Sequence, residues 1–329
     1  MIPTLRIAAL AAAALLAAAL PAAASAGDYQ RIASLRHVTG MYPKTPLVQG
    51  PDGLMYGTTT AGDAHHGTVY RVDGFHQVTV LHAFAKDGSE GTSPSQLVLG
   101  SDGWFYGNTS LGGTTWGAIW RISPAGELQM LHSFPYTGSS TLGSPAGPMV
   151  RDAAGNLYVS LLSGGTANAG AIARLAPDGT LTVLHSFGGG DDGALAVAGL
   201  TLGPDGRLYG TTRDDGPTNS GTAFSIAMDG SDYRVLHEFM ANTDGCENES
   251  PLAVGPDGAL YGSTANCGPN LGGAVFRLTT DGAFSVLHAF SSDDVLGAFP
   301  DGGVSFGPDG TLYGVTSDGG AHGGGTVFT

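Results

Sequence analysis

Apolar residues in this chain are gathered in short runs, separated by turns rich in glycine, proline and aspartate. One block of four runs shows the pattern most clearly, at 251–254, 260–264, 273–278 and 284–290. Gly-Pro-Asp-Gly at 255–258 joins the first two runs, and Asp281-Gly282 joins the last two. Such turns suit β-hairpins, and runs of this length suit strands. The block therefore predicts four antiparallel strands.

This block recurs along the chain. A tyrosine marks each copy, at Tyr56, Tyr106, Tyr158, Tyr209, Tyr261 and Tyr313, so the copies are 50 to 52 residues apart. A fixed period in this range is typical of repeat folds. The last copy ends after its third predicted strand, whereas one additional strand-like segment, 29–38, precedes the first copy.

We predict an all-β, six-bladed β-propeller with four-stranded blades, whose last blade is closed by the N-terminal strand 29–38. Closure would remove the exposed sheet edges that an open array presents. The alternative is an open array truncated at its C-terminal end. The predicted repeats span about 45–90, 91–140, 141–193, 194–246, 247–296 and 297–329.

The repeat resembles a known family. Residues 208–212 (LYGTT), 221–224 (GTAF) and 235–239 (VLHEF) are similar to the GloVer tandem repeat of exported bacterial proteins. The resemblance extends from Thr45 to Thr329. It implies a propeller-like organisation but no assigned chemistry.

The N-terminal residues have the features of a secretory signal peptide. Arg6 precedes an apolar run at 7–20, and small residues follow up to Ala26. This run is shorter than the roughly 20 residues of a membrane-spanning helix. We therefore predict a signal peptide at 1–26 and a propeller at 27–329. The mature protein is expected to be a secreted or periplasmic monomer with no membrane span.

Composition narrows the function classes. The 55 glycines suit turns between strands and disfavour helices. The formal net charge of −15 argues against a nucleic-acid partner, because an acidic surface repels phosphates.

Two cysteines are placed symmetrically about a predicted hairpin turn. Cys246 precedes the first strand of the fifth repeat and Cys267 follows its second strand, with the turn at 255–258 between them. Residues equidistant from a hairpin turn face each other, so we predict a disulfide bond. Such a bond would persist in an exported protein. The alternative is two free thiols.

Five histidines recur in a Leu-His-x-Phe motif within the fourth strand of the first five repeats, at His82, His132, His185, His237 and His288. A residue that occurs once per blade has the same role in every blade. We therefore interpret these histidines as structural residues that hydrogen-bond to a neighbouring strand or loop.

Residues that break the repeat are better candidates for a binding site. Strand order places the tight turns on one face of the predicted propeller and the longer loops on the other, and long loops on a rigid scaffold usually carry binding sites. The candidate ligand-binding residues in these loops are His65, His66, Trp116, Tyr136, Asp214, Asp215 and His322. Trp116 and Tyr136 could stack on a sugar ring. The loop histidines lack the close ligand spacing of a metal site, so no metal or cofactor is predicted.

Catalytic motifs are not evident in the sequence. The central positions of the innermost strands are small and uncharged: Val48, Val98, Val150, Thr201, Ala253 and Ser305. The sequence shows no nucleophile elbow, phosphate-binding loop or zinc motif. These observations favour a non-enzymatic binding scaffold for a glycan, a peptide or a cell-envelope partner. One alternative is a propeller-type lyase or lactonase, similar to virginiamycin-lyase-like enzymes. Another is a purely structural envelope component.

Overall fold

The strands predicted from the repeats are present, and they form six consecutive antiparallel sheets. The computed structural model describes residues 35, 40–43, 45–62, 66–111, 115–135, 142–292, 296–320 and 322–329. In these ranges the chain forms 24 strands, and its helical structure is limited to one 3-10 turn at Gly190–Asp192. No helix in the described ranges is long and apolar enough to cross a membrane.

The strands of the first three blades follow each other closely in sequence. Blade 1 contains β1 (Val48–Gln49), β2 (Met55–Thr59), β3 (Thr68–Val72) and β4 (Val78–Ala83). Blade 2 contains β5 (Thr92–Pro94), β6 (Val98–Leu99), β7 (Phe105–Leu111), β8 (Thr115–Ile122) and β9 (Leu128–Pro135). Blade 3 contains β10 (Gly143–Arg151), β11 (Leu157–Ser163), β12 (Ala171–Leu175) and β13 (Leu181–Ser186). In blade 2 the innermost strand is divided into β5 and β6, and both pair with β7.

The remaining blades repeat this order. Blade 4 contains β14 (Thr201–Leu202), β15 (Leu208–Thr211), β16 (Thr222–Ile226) and β17 (Arg234–Glu238). Blade 5 contains β18 (Ala253–Val254), β19 (Leu260–Thr264), β20 (Leu271–Leu278) and β21 (Phe284–Ser291). Blade 6 contains β22 (Val304–Phe306), β23 (Leu312–Thr316) and β24 (Thr326–Phe328). The fold is therefore the predicted six-bladed β-propeller.

The predicted closing strand, 29–38, lies outside the described residues except for Leu35, which is not part of a strand. In the described ranges, blade 6 thus has three strands. Its Tyr313, Val315 and Val327 are 39%, 42% and 76% exposed. The corresponding residues of blade 1, Tyr56, Thr58 and Val69, are buried.

The register within each blade matches the prediction from the tyrosine period. Each marker tyrosine pairs with the central residue of the innermost strand, as in Val48↔Tyr56, Val98↔Tyr106, Val150↔Tyr158, Thr201↔Tyr209, Ala253↔Tyr261 and Ser305↔Tyr313. The small residues at these inner positions therefore form equivalent points around the centre of the propeller.

The turn between the first two strands is held by its aspartate. In blade 4 the hydroxyl of Tyr209 donates to Asp205, four residues earlier, at 2.7 Å. The same bond occurs between Tyr56 and Asp52, Tyr106 and Asp102, and Tyr261 and Asp257. The Pro-Asp-Gly turn and the tyrosine are thus one structural unit, because the carboxylate satisfies a phenol that is otherwise largely buried.

Hydrophobic layers between neighbouring blades form the core. Between blades 1 and 2, the Tyr56 and Phe105 ring centroids are 4.2 Å apart, and Phe84 and Trp120 complete the buried cluster. Similar clusters lie between blades 2 and 3, 3 and 4, and 4 and 5. Each blade is therefore stabilised mainly by its neighbours, as expected for a repeat fold.

Candidate functional site

A cavity of about 710 Å³ lies where the innermost strands of all six blades begin. Its lining includes Thr45, Gln96, Gly147, Ala198, Glu249 and Asp301, one residue from each blade. Because the connections between blades lead into these strands, the cavity opens on the long-loop face. A cavity lined by every blade is the mouth of the central channel.

Polar and apolar groups are unevenly distributed around this cavity. Blades 1 and 2 contribute hydroxyls and amides, and blades 5 and 6 contribute the carboxylates of Glu249 and Asp301. Blades 3 and 4 contribute mainly apolar groups, including Ala146, Leu162 and Val197. Blade 6 adds apolar groups as well, including Val304, Val315 and Val327, so the cavity has both polar and apolar surfaces that a ligand with both would match.

Asn108, on β7, is a buried polar residue of this lining. It is 1% exposed, and its Nδ2 donates to the carbonyl of Gly147 in blade 3 at 3.0 Å. This bond sets the amide orientation, because the oxygen of the side chain would repel that carbonyl. In the described structure, Oδ1 of Asn108 has no hydrogen-bond partner. An unsatisfied, buried acceptor therefore lies directly behind the cavity wall.

An ion-pair network lies beside the cavity on the blade 4 and blade 5 side. Arg213 donates to the predicted site residue Asp214 at 3.0 Å and reaches Glu249 at 3.5 Å. Its hydrogen bond to Asp214 raises the pKa of the guanidinium above its ordinary value, and the charge of Glu249 adds to this effect although burial opposes it. The network leaves Glu249, 48% exposed at its side chain, at the cavity edge.

None of the predicted site residues that the structure describes, including Asp214, lines the cavity. His66 lies next to Lys86, with its Nε2 2.9 Å from the Lys86 carbonyl oxygen. Trp116 packs against the hydrophobic layer between blades 2 and 3. Asp215 adopts a positive φ of 59° in its loop, and His322 is exposed.

His65 and Tyr136 lie outside the described residues. Within the described ranges there is no group of three or more histidine, cysteine, aspartate or glutamate side chains arranged to hold a metal ion.

The repeated histidines have the predicted structural hydrogen bonds at three positions. The Nε2 atoms of His82, His185 and His237 lie 2.8, 3.1 and 2.9 Å from carboxylate oxygens of Glu90, Asp192 and Asp244. These carboxylates also accept backbone N–H groups from Ala85, Gly188 and Met240. Each pair therefore connects an outer strand to the loop that leads to the next blade.

The predicted disulfide bond is present between Cys246 and Cys267, whose Cα atoms are 5.4 Å apart. The backbone pairing differs from the predicted symmetric one by one residue, because Cys246 bridges to Asn266. Cys267 has a positive φ of 62°, and the bond joins it diagonally to Cys246. A disulfide bond is compatible with the predicted export.

Sequence reasoning missed Asn108, Glu249 and Asp301. It considered the long loops and the middle of each innermost strand, whereas Glu249 and Asp301 come from the strand entrances and Asn108 from β7. The sequence does contain an indication of two of these residues. Glu249 and Asp301 are acidic, whereas the residues at the same distance before the marker tyrosine in blades 2, 3 and 4 are the uncharged Pro94, Ala146 and Val197.

Comparison with known families and structures agrees with the fold. The model of the Gloeobacter/Verrucomicrobia repeat family matches residues 21–201 and 112–328. No curated protein matches the chain.

Several solved structures share the architecture at low identity. A gluconolactonase from Xanthomonas campestris is 16% identical with a TM-score of 0.52, and the alignment covers 84% of each chain. An oligogalacturonate lyase in complex with manganese is 15% identical with a TM-score of 0.54, and the alignment covers 85% of this chain and 74% of the lyase. A chain of a nidogen–laminin complex is 18% identical with a TM-score of 0.50, covering 77% and 83%. At these identities the similarity concerns the fold alone.

Proposed function

This chain belongs to the Gloeobacter/Verrucomicrobia repeat family, and we propose that it is an exported, non-enzymatic propeller that binds a saccharide unit in its central cavity. The observation that carries this proposal is the unsatisfied Oδ1 of the buried Asn108 in the cavity wall. A buried acceptor without a partner costs about 1–3 kcal/mol. Because Oδ1 is itself buried, the Asn108 amide would have to shift slightly to accept a ligand hydroxyl, and that hydrogen bond would recover this energy on binding.

The remainder of the lining supports a neutral, hydroxyl-rich ligand. A sugar ring has hydroxyls around its edge and C–H groups on its faces. The hydroxyls would bond to Gln96, Asn108 and Glu249, and a ring face would lie against the apolar wall near Val197. With Arg213 already paired to Asp214 and Glu249, the edge of the cavity offers acceptors rather than a free cation.

The test is titration calorimetry with glucose, galactose, N-acetylglucosamine and their disaccharides. For a sugar that binds, Asn108→Ser should weaken affinity at least about tenfold, as expected when a ligand hydrogen bond to a buried group is lost. Serine is chosen because β11 and β19 carry Ser160 and Ser263 at the corresponding position. Glu249→Gln should weaken binding as well.

His322→Ala is the matched control, because this exposed histidine lies outside the cavity. It should leave affinity unchanged. The proposal fails if no sugar binds, or if Asn108→Ser binds as tightly as the wild type. Release of a product during titration would instead favour the lyase or lactonase alternative.

A further inference from the structure

Arg151 breaks the repeat at the end of the innermost strand of blade 3. It pairs with Leu157 in the register where the other blades have uncharged residues, Gln49, Leu99, Leu202, Val254 and Phe306. Its side chain is only 13% exposed, and its guanidinium lies 4.9 Å from the centroid of the Tyr106 ring in blade 2. Because a largely buried arginine occupies this position in blade 3 only, we expect it to have a function specific to blade 3 and not one common to all blades.

The turn that follows Arg151 also departs from the repeat. Ala154 stands four residues before Tyr158, where the other blades have Asp52, Asp102, Asp205, Asp257 and Asp309. In blade 3 the tyrosine hydroxyl instead donates to Asp152 at 3.1 Å. The first departure adds a cation at the junction of blades 2 and 3, and the second moves the carboxylate of the turn from position 154 to Asp152.

A cavity of about 290 Å³ lies at this junction, on the face of the tight turns and thus opposite to the central cavity mouth. Arg151, Arg121 and Asp102 line one part of it, and Leu131, Leu157, Leu175 and Pro177 line another. Its volume suits a small molecule.

The charges of this cavity are not balanced. Both guanidiniums share the carboxylate of Asp102, at 3.6 Å from Arg121 and 3.8 Å from Arg151. Arg121 is further held by Gln129, which accepts from its Nε at 3.0 Å. Arg151, by contrast, donates to Ser101 through Nη1 at 3.1 Å, while its Nε has no acceptor in the described structure. Among the residues that line this cavity, two partly buried guanidiniums, 31% and 13% exposed, therefore share one carboxylate.

We propose that this cavity binds a small organic carboxylate, with its carboxylate on Arg151 and its hydrocarbon part against the leucines. A guanidinium matches a carboxylate in geometry and charge, and such hydrogen bonds are stronger than neutral ones. The apolar wall favours a carboxylate with a hydrocarbon group over an inorganic anion. Gly155 leaves room beside Arg151, since a Cβ added there would lie 3.4 Å from Nη2.

Benzoate and hexanoate are suitable probes, with benzamide and hexanamide as their uncharged counterparts. In calorimetric titrations at low ionic strength, the carboxylates should bind the wild-type protein at least about tenfold more tightly than the amides. Arg151→Leu introduces leucine, the residue that blades 2 and 4 have at the corresponding position (Leu99 and Leu202). This variant should lower carboxylate affinity at least about tenfold. Ala154→Asp restores the carboxylate of the other blades and should have the same effect.

Gln49→Leu is the matched control, because it makes a similar change at the same register in blade 1, outside the cavity. It should leave the affinity unchanged. Thermal unfolding of each variant shows whether the fold is kept, and if Arg151→Leu does not fold, Ala154→Asp decides. The proposal is overturned if neither carboxylate binds saturably, if the amides bind equally well, or if Ala154→Asp retains full affinity.

Discussion

Nε2 of His237 lies 2.9 Å from Oδ2 of Asp244, and the same oxygen accepts the backbone N–H of Met240 at 3.2 Å. Because an ionised carboxylate only accepts, Nε2 must carry the proton of this bond. The imidazole also stacks on Phe284 at the start of β21, with ring centroids 3.6 Å apart. One histidine thus connects an outer strand, an interblade loop and the outer strand of the next blade.

Replacement of His237 by alanine should therefore lower the free energy of unfolding by about 2–4 kcal/mol. The loss combines an unpaired carboxylate, since Asp244 is 6% exposed, with a cavity beside Phe284. Urea unfolding followed by circular dichroism measures it. The exposed His322 provides the control, because His322→Ala should change stability by less than about 0.5 kcal/mol. Equal stability of the two variants would contradict the structural role of the motif.

Acid should weaken the corresponding pair in blade 3. Burial acts to raise the pKa of Asp192, but hydrogen bonds from His185 and from the Gly188 N–H outweigh it and hold the pKa below its ordinary value of 3.8. The unfolded chain thus takes up the proton first as the pH falls. The stability from this group is fully present well above pH 3.8 and is lost as the pH falls through the lower folded pKa.

Unfolding free energies of the wild type and Asp192→Asn, measured from pH 7 to pH 3, test this expectation. The difference between them should be constant near neutrality and should shrink below about pH 4. Other carboxylates with lowered pKa values, such as Asp52 and Asp152, titrate in both proteins and cancel in the comparison. A difference that does not vary with pH would show that the His185–Asp192 bond does not control the titration.

The glycine after the marker tyrosine is expected to be intolerant of a side chain. At Gly107 an added Cβ would lie 2.3 Å from Cη2 of Trp120, a ring that is fully buried. A rigid ring in a filled layer cannot move aside, so Gly107→Ala should destabilise the protein by about 1–3 kcal/mol. Gly74→Ala is the control, because a Cβ there meets no atom within 4 Å. Similar melting temperatures of the two variants would contradict the close packing.

Local chemistry explains why so much of the fold could be predicted. Most copies contain the same turn, the same phenol–carboxylate bond and the same outer-strand motif, so the sequence period alone indicates the blades. The Tyr209–Asp205 bond, for example, spans only four residues. Interactions of this kind are visible in a single sequence because both partners lie in one repeat.

The candidate sites could be predicted only in part. Asn108, Glu249 and Asp301 are distant in sequence, and ring geometry brings them to one cavity. His66 and Trp116 also break the repeat, but His66 lies two residues before β3 and Trp116 lies in β8, and neither lines the cavity. Asymmetry between copies thus indicates candidates without indicating which of them converge. Ala154 differs visibly when the six turns are aligned, because the other five turns have aspartate at this position.

The Cys246–Cys267 bond should contribute measurably to stability. It closes a loop with a sequence separation of 21 residues around the turn of blade 5. On the chain-entropy model a loop of this size stabilises the folded state by about 3 kcal/mol, because it restricts the unfolded chain. Reduction should therefore lower the unfolding free energy by about 3 kcal/mol in denaturant titrations with and without dithiothreitol.

The double variant Cys246→Ser/Cys267→Ser separates this effect from any other action of the reductant. It should have the stability of the reduced wild type, and dithiothreitol should not lower it further. The hairpin itself should remain, because β18 and β19 pair independently of the sulfurs through Ala253↔Tyr261 and Val254↔Leu260. If the oxidised protein and the double variant unfold at the same denaturant concentration, the restriction of the unfolded chain is offset by strain in the folded hairpin, where Cys267 has a positive φ of 62°.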